Sequence, residues 1–179
     1  MVFQQEAAGA PMLHNGSVHA PDIEMALLNA RDVFARRPEA ATMWVAPADA
    51  FYTRTPEELE AESVIARREG EAQSDAAIPT SKPEDYYVFG KLSQQGQCAY
   101  LGDVTAGSPS SAMEAAVGQF GDHNPFWWWV FPAKCVLGST PDEAEPMFAP
   151  ARAKTFKQQS EYPVVTLMRQ LHSKGRLDE

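Results

Sequence analysis

Only two of 179 residues are cysteine, Cys98 and Cys135, and both lie in the second half. So little cysteine excludes a disulfide scaffold; two buried thiols in a reducing cytoplasm are the expected state, rather than a disulfide or a metal pair. The four histidines, His14, His19, His123 and His172, are scattered, no two lying two to four residues apart. No Glu-x-x-His occurs, so the helical signature of a carboxylate-bridged di-iron site is missing and no metal site is expected. Phosphate loops of the G-x-x-x-x-G-K-S/T and G-x-G-x-x-G kinds are absent, as is the G-x-S-x-G nucleophile elbow, and no cofactor is expected. A cysteine–histidine nucleophile pair stays open, set against the inert packing usual for strand cysteines. Positive charge is also short: 15 Lys and Arg face 24 Asp and Glu, a net charge of −9. That balance excludes a nucleic-acid surface, which needs clustered cations to displace counterions, and argues against an anionic membrane. No apolar run approaches a membrane span, and no basic-then-apolar leader opens the chain.

What the chain does have is an internal repeat. Adding 86 to Gly16, Val18, Ala20, Ala26, Ala30 and Phe34 gives Gly102, Val104, Ala106, Ala112, Ala116 and Phe120. The same offset carries Val2-Phe3 onto Val88-Phe89. After one deletion the offset is 85: Trp44-Val45 falls on Trp129-Val130, and Thr55-Pro-Glu-Glu on Thr140-Pro-Asp-Glu. One register with a single gap marks a tandem duplication.

Each copy reads strand, strand, helix, strand. Tyr86–Leu92 is aromatic and β-branched, so it and its counterpart near Val2–Glu6 are expected first strands. Loops rich in Gly, Pro, Gln and Ser lead to return strands Leu13–His19 and Ala99–Thr105. Gly16 and Gly102 inside them predict a bulge or a close backbone approach. Asp22 and Ser108 are matched N-caps, and Pro109 suits a first helical position. Ile23, Ala26, Leu27, Ala30, Val33 and Phe34 share a helical stripe that Ala112, Met113, Ala116 and Phe120 repeat. The third strands are Ala41–Ala46 and Phe126–Phe131; the second has apolar residues on both faces, so both faces should be covered. Residues Glu57–Ser81 read as a short helix and a linker, and Ala151–Gln159 and Val164–His172 as helical or extended segments.

The fold class expected is α+β: two tandem ββαβ repeats related by a pseudo-twofold, small antiparallel sheets each carrying one helix. A hairpin followed by a right-handed crossover gives strand order 2-1-3 in each copy. The two copies would then pack as two sheets face to face or join as one sheet. The division is residues 1–60 for the first repeat, 61–84 for a linker, 85–145 for the diverged second repeat and 146–179 for a C-terminal arm. Arg36 and Arg37, at the end of the first helix, become Asp122 and His123 in the second copy. Trp127 and Trp128 have no tryptophan counterparts, and one of them must point away from the side Trp129 faces. Positions that differ in charge or bulk are not demanded by the shared fold, so Arg36, Arg37 and Trp128 are the expected partner interface. Trp128 qualifies only if its face is external.

The run Gly16-Ser-Val-His-Ala20, with Met25-Ala26, Asn29-Ala-Arg-Asp32, Arg36-Arg37 and Met43-Trp-Val45, resembles the PaaB family, the small non-iron component of bacterial phenylacetyl-CoA 1,2-epoxidase. The likeness covers the first 50 or so residues, and the second copy is similar to a diverged version of the same unit. It implies a non-catalytic bridging subunit of a multicomponent di-iron monooxygenase acting on an aromatic acyl-CoA. It also implies, as partners, the catalytic di-iron subunit and its structural sister subunit. Members of that family are usually single units, so this chain would be an internal pseudo-dimer, with further self-association open. The competing class is a stand-alone module binding a small, acyl-CoA-like molecule, or a small enzyme, in the cleft between the repeats.

Overall fold

Eight strands form one antiparallel sheet in the computed structural model, which describes residues 1–35, 40–62 and 82–153. They are β1 (Val2–Gln5), β2 (Leu13–Gly16), β3 (Thr42–Val45), β4 (Tyr52–Arg54), β5 (Glu84–Lys91), β6 (Cys98–Ala106), β7 (Trp127–Pro132) and β8 (Leu137–Gly138). The helices are α1 (Ile23–Phe34), α2 (residues 56–62), α3 (Pro109–Phe120) and α4 (Pro141–Ala153). Strand order is β4-β7-β5-β6-β2-β1-β3-β8. Within it the first copy reads β2-β1-β3 and the second β6-β5-β7, the order that the hairpin and crossover rules predict. The separate small sheets expected for the two copies are instead continuous, joined edge to edge through β2 and β6.

The local signals act as read. Asp22 accepts a bond from the Met25 backbone N–H at 2.7 Å, and Ser108 accepts one from Ser111 at 3.2 Å. Thr55 with Glu58 and Thr140 with Glu143 make reciprocal capping boxes that start α2 and α4. Gly16 and Gly102 have φ of 143° and 156°, next to register shifts between β1 and β2 and between β5 and β6. A Cβ on either would meet a ring: Phe34 at 3.0 Å for Gly16, Phe120 at 2.4 Å for Gly102. Both expectations for these glycines, bulge and close approach, hold together.

The sheet is curled. Phe3 on β1 and Phe89 on β5 are three strand spacings apart, roughly 14 Å if the sheet were flat, yet their ring centroids are 4.5 Å apart. Curling gives the sheet a concave side that packs on itself and an outer side that carries helices. Alternation sorts the residues: Val2, Met43 and Val45 face α1, and Tyr86, Val88, Trp128 and Val130 face α3. Phe3, Phe89 and Phe131 fill the concave core, with Phe51, Trp44 and Trp129 against them. The strand with two apolar faces is indeed covered on both.

The ends of each copy go elsewhere. β4 pairs with β7 of the second copy, and β8 pairs with β3 of the first. Tyr52 and Leu59 of the first arm pack into the α3 core, while Leu137, Ala144, Met147 and Phe148 of the second arm pack into the α1 core. The two arms are exchanged, a pairing that no local pattern in the sequence announces. Consequently the boundaries placed after residues 60 and 145 fall inside α2 and α4. Residues 63–81 of the linker and the whole of Val164–His172 lie outside the described residues, as does Ala151–Gln159 beyond Ala153.

Candidate functional site

Two regions compete for the role of site: the junction between the copies and the outer surface. At the junction the backbone seam is short. Leu13 pairs with Ala99, the Tyr100 N–H donates to the Met12 carbonyl at 2.9 Å, and Gln97 Nε2 donates to Asn15 Oδ1 at 3.2 Å. Aromatic contacts carry the rest. His14 meets Trp129 edge-on at 4.8 Å, and at the equivalent positions Tyr100 meets Trp44 edge-on at 6.1 Å. Trp44 also stacks on Tyr87 at 4.9 Å. The expected cleft between the repeats is therefore packed with rings among the described residues.

A cavity of about 490 Å³ does open, but elsewhere. Val18, His19, Ile23, Ala26, Val45 and Pro47 line it, all from the first copy. The His19 imidazole is exposed, and it is the His19 carbonyl that accepts a bond, from Asn29 Nδ2 at 3.1 Å. Nothing in that arrangement poises the ring as a base.

The thiols are separate and free. Burial pushes the Cys98 thiol up to about 11, so it holds almost no thiolate at neutral pH and is a poor nucleophile. Cys135 is partly buried. Among the described residues no three His, Cys, Asp or Glu side chains converge as a metal cage. No helix among them is long and apolar enough to cross a membrane. His14 is the one buried polar oddity among them: its Nε2 has no partner, and burial lowers its pKa below the usual histidine value. Its counterpart Tyr100 instead donates to Asp103 at 3.1 Å.

Of the residues singled out for docking, Arg36 and Arg37 lie outside the described residues. Trp128 is corrected: at 3% exposed it packs with Ala112, Met113 and Ala116, because β7 turns its face toward α3. Its external neighbours are Trp127 and Phe126, 45% and 52% exposed. The Phe126 N–H donates to the Lys91 carbonyl at 2.8 Å, which sets both aromatics beside Leu92, 44% exposed, at one end of β5 and β7. The first-copy equivalents of this patch are Glu6, Ala41 and Thr42. The signal was present in the alternation of Phe126–Phe131; what it lacked was which apolar face the helix would take.

Comparison with known proteins supplies the family. The small B component of 1,2-phenylacetyl-CoA epoxidase from Escherichia coli (strain K12) is 44% identical over 57 residues, which is 32% of this chain and 60% of that relative's length. No solved structure matches the chain. The model of the family described as phenylacetic acid degradation B matches residues 1–70 and 83–169, one segment for each copy. With most of its length so matched, the chain belongs to the PaaB family, phenylacetic acid degradation B.

Proposed function

We propose that this chain is a non-catalytic bridging subunit of a multicomponent di-iron monooxygenase of the phenylacetyl-CoA epoxidase type. In this reading it joins catalytic di-iron subunits and their structural sister subunits in the cytoplasm and holds no metal or cofactor itself. The observation that carries the reading is family membership in a chain whose surfaces offer packing and not chemistry: a filled junction, an inert Cys98 and an exposed aromatic patch.

The reading includes a near twofold relation between the copies. Three observations support it: equivalent residues Leu13 and Ala99 pair with each other, equivalent Phe3 and Phe89 touch, and the arms are exchanged reciprocally. Self-complementary contacts of this kind belong to a twofold interface. Fusing two units makes their association intramolecular, so it no longer depends on concentration. It also frees the two outer surfaces to diverge. Docking is assigned to Arg36 and Arg37, whose planar forks suit carboxylates across an interface. The Leu92–Phe126–Trp127 patch replaces Trp128 as the aromatic anchor.

The test is a pull-down of the catalytic and sister subunits with the purified chain, paired with a thermal melt of each variant. Arg36→Ala with Arg37→Ala, and separately Trp127→Ala, should each weaken assembly by roughly 1–3 kcal/mol, as interface hot spots do, with little change in melting. Normal assembly in every variant would refute the docking assignment. Oxygenase turnover by the chain alone would refute the non-catalytic one.

A further inference from the structure

One side of α1 has no cover among the described residues. Met25 and Leu28 are 42% exposed and Val33 is 59% exposed, on the side of the helix away from buried Ala30. The equivalents on α3 are Ser111, Glu114 and Gln119, so the shared fold does not require apolar side chains there. Asp22 and Glu24, both exposed, add negative charge at the start of the same helix.

The chain itself supplies an occupant of the right kind. α4 ends at Ala153 in the layer of α1, since Phe148 is buried in one cluster with Ala30 and Ala35. Residues 154–179 follow, with five Lys and Arg against three Asp and Glu in a protein of net charge −9. Val164, Leu167, Met168 and Leu171 recur at helical spacing. Pro163 stands where a first helical residue would, and Lys174-Gly175 where a helix would stop. The nine residues from Lys154 to Tyr162 can reach roughly 30 Å when extended, further than the length of α1, about 18 Å.

We infer that segment 163–174 docks on the outward side of α1, laying Val164, Leu167, Met168 and Leu171 against Met25, Leu28 and Val33. The tail's positive charge then lies near Asp22 and Glu24. A short tether gives an effective concentration in the millimolar range, so even a weak contact is held closed most of the time. The inference concerns this chain alone and stands apart from the partners proposed above.

The test is the reaction rate of an introduced thiol with a maleimide, after subtracting the background of Cys98 and Cys135 in the unsubstituted chain. Val33→Cys reports on the α1 side, and Gln119→Cys reports on the equivalent, uncovered position of α3. The full-length Val33→Cys chain should react on the order of tenfold more slowly than Gln119→Cys, the protection expected of such a tether. Adding Leu167→Asp with Met168→Asp should bring Val33→Cys up to the Gln119→Cys rate and leave Gln119→Cys unchanged. Equal rates at the two thiols in the otherwise native chain overturn the inference without any tail variant. So does protection that survives the tail substitutions, or protection that rises with protein concentration, which would put a second copy on that side.

Discussion

On its inward side α1 carries Ala26, Ala30 and Phe34, and α3 carries Ala112, Ala116 and Phe120, residue for residue the same. On the outward side Met25, Leu28 and Val33 of α1 are answered by Ser111, Glu114 and Gln119 of α3. The strand ends differ in the opposite sense: Glu6, Ala41 and Thr42 in the first copy, Leu92, Phe126 and Trp127 in the second. Close packing fixes the first set, because an interior at crystal-like density tolerates little change in volume. Solvent imposes no such demand, so the outer sets record what each copy contacts. The first copy is apolar on its helix, the second at its strand ends.

The comparison predicts equal effects inside and unequal ones outside. The largest belongs to the shared centre. Phe3→Ala and Phe89→Ala remove equivalent, fully buried rings, and each should cost about 3–5 kcal/mol in urea unfolding, the usual range for a buried phenylalanine. A large difference between the two would break the equivalence of the halves. Next come the glycines: Gly16→Ala and Gly102→Ala force a side chain into a positive-φ position, costing about 1–3 kcal/mol. The second should cost more, since Phe120 leaves less room than Phe34. Asp22→Ala and Ser108→Ala should each cost about 1 kcal/mol through the lost cap, read as matched falls in Tm.

The smallest effect separates the copies. Burial holds the His14 pKa below its unfolded value of roughly 6.5, while the equivalent Tyr100 is pushed up to about 12 and stays neutral throughout. Below about pH 6.5 the unfolded chain binds a proton at residue 14 more readily than the folded one, so stability is full above that pH and declines as pH falls. Melting at about pH 7.5 and about pH 5.5, either side of that value, should show this decline, and His14→Gln should reduce it.

Much of this was legible in the sequence because it is locally encoded. The offset between Val2 and Val88, the caps Asp22 and Ser108, the glycines opposite Phe34 and Phe120 and the strand order within each copy all follow from short-range pattern. What escaped was non-local. β4 and β8 have three and two residues, too short for any period to show, and nothing near Tyr52 or Leu137 says that its partner strand belongs to the other copy. Trp128 failed for a related reason. With Phe126–Phe131 apolar on both faces, alternation separates Trp128 from Trp129 without saying which of them a helix covers. Only the position of α3 decides that.

The arm exchange is also the most direct route to the central claim, that two family units here form one body that neither could form alone. Residues 1–70 and 82–179, produced as separate chains and together, put the exchange to the test. Each piece contains a core that lacks its covering arm: Tyr52 and Leu59 belong with α3, and Leu137 and Phe148 with α1. Sedimentation of the co-produced pieces should give a one-to-one complex that melts cooperatively, while each piece alone unfolds without a sharp transition or pairs with itself. Two pieces that each sediment as a stable, cooperatively melting monomer and ignore one another would contradict the account.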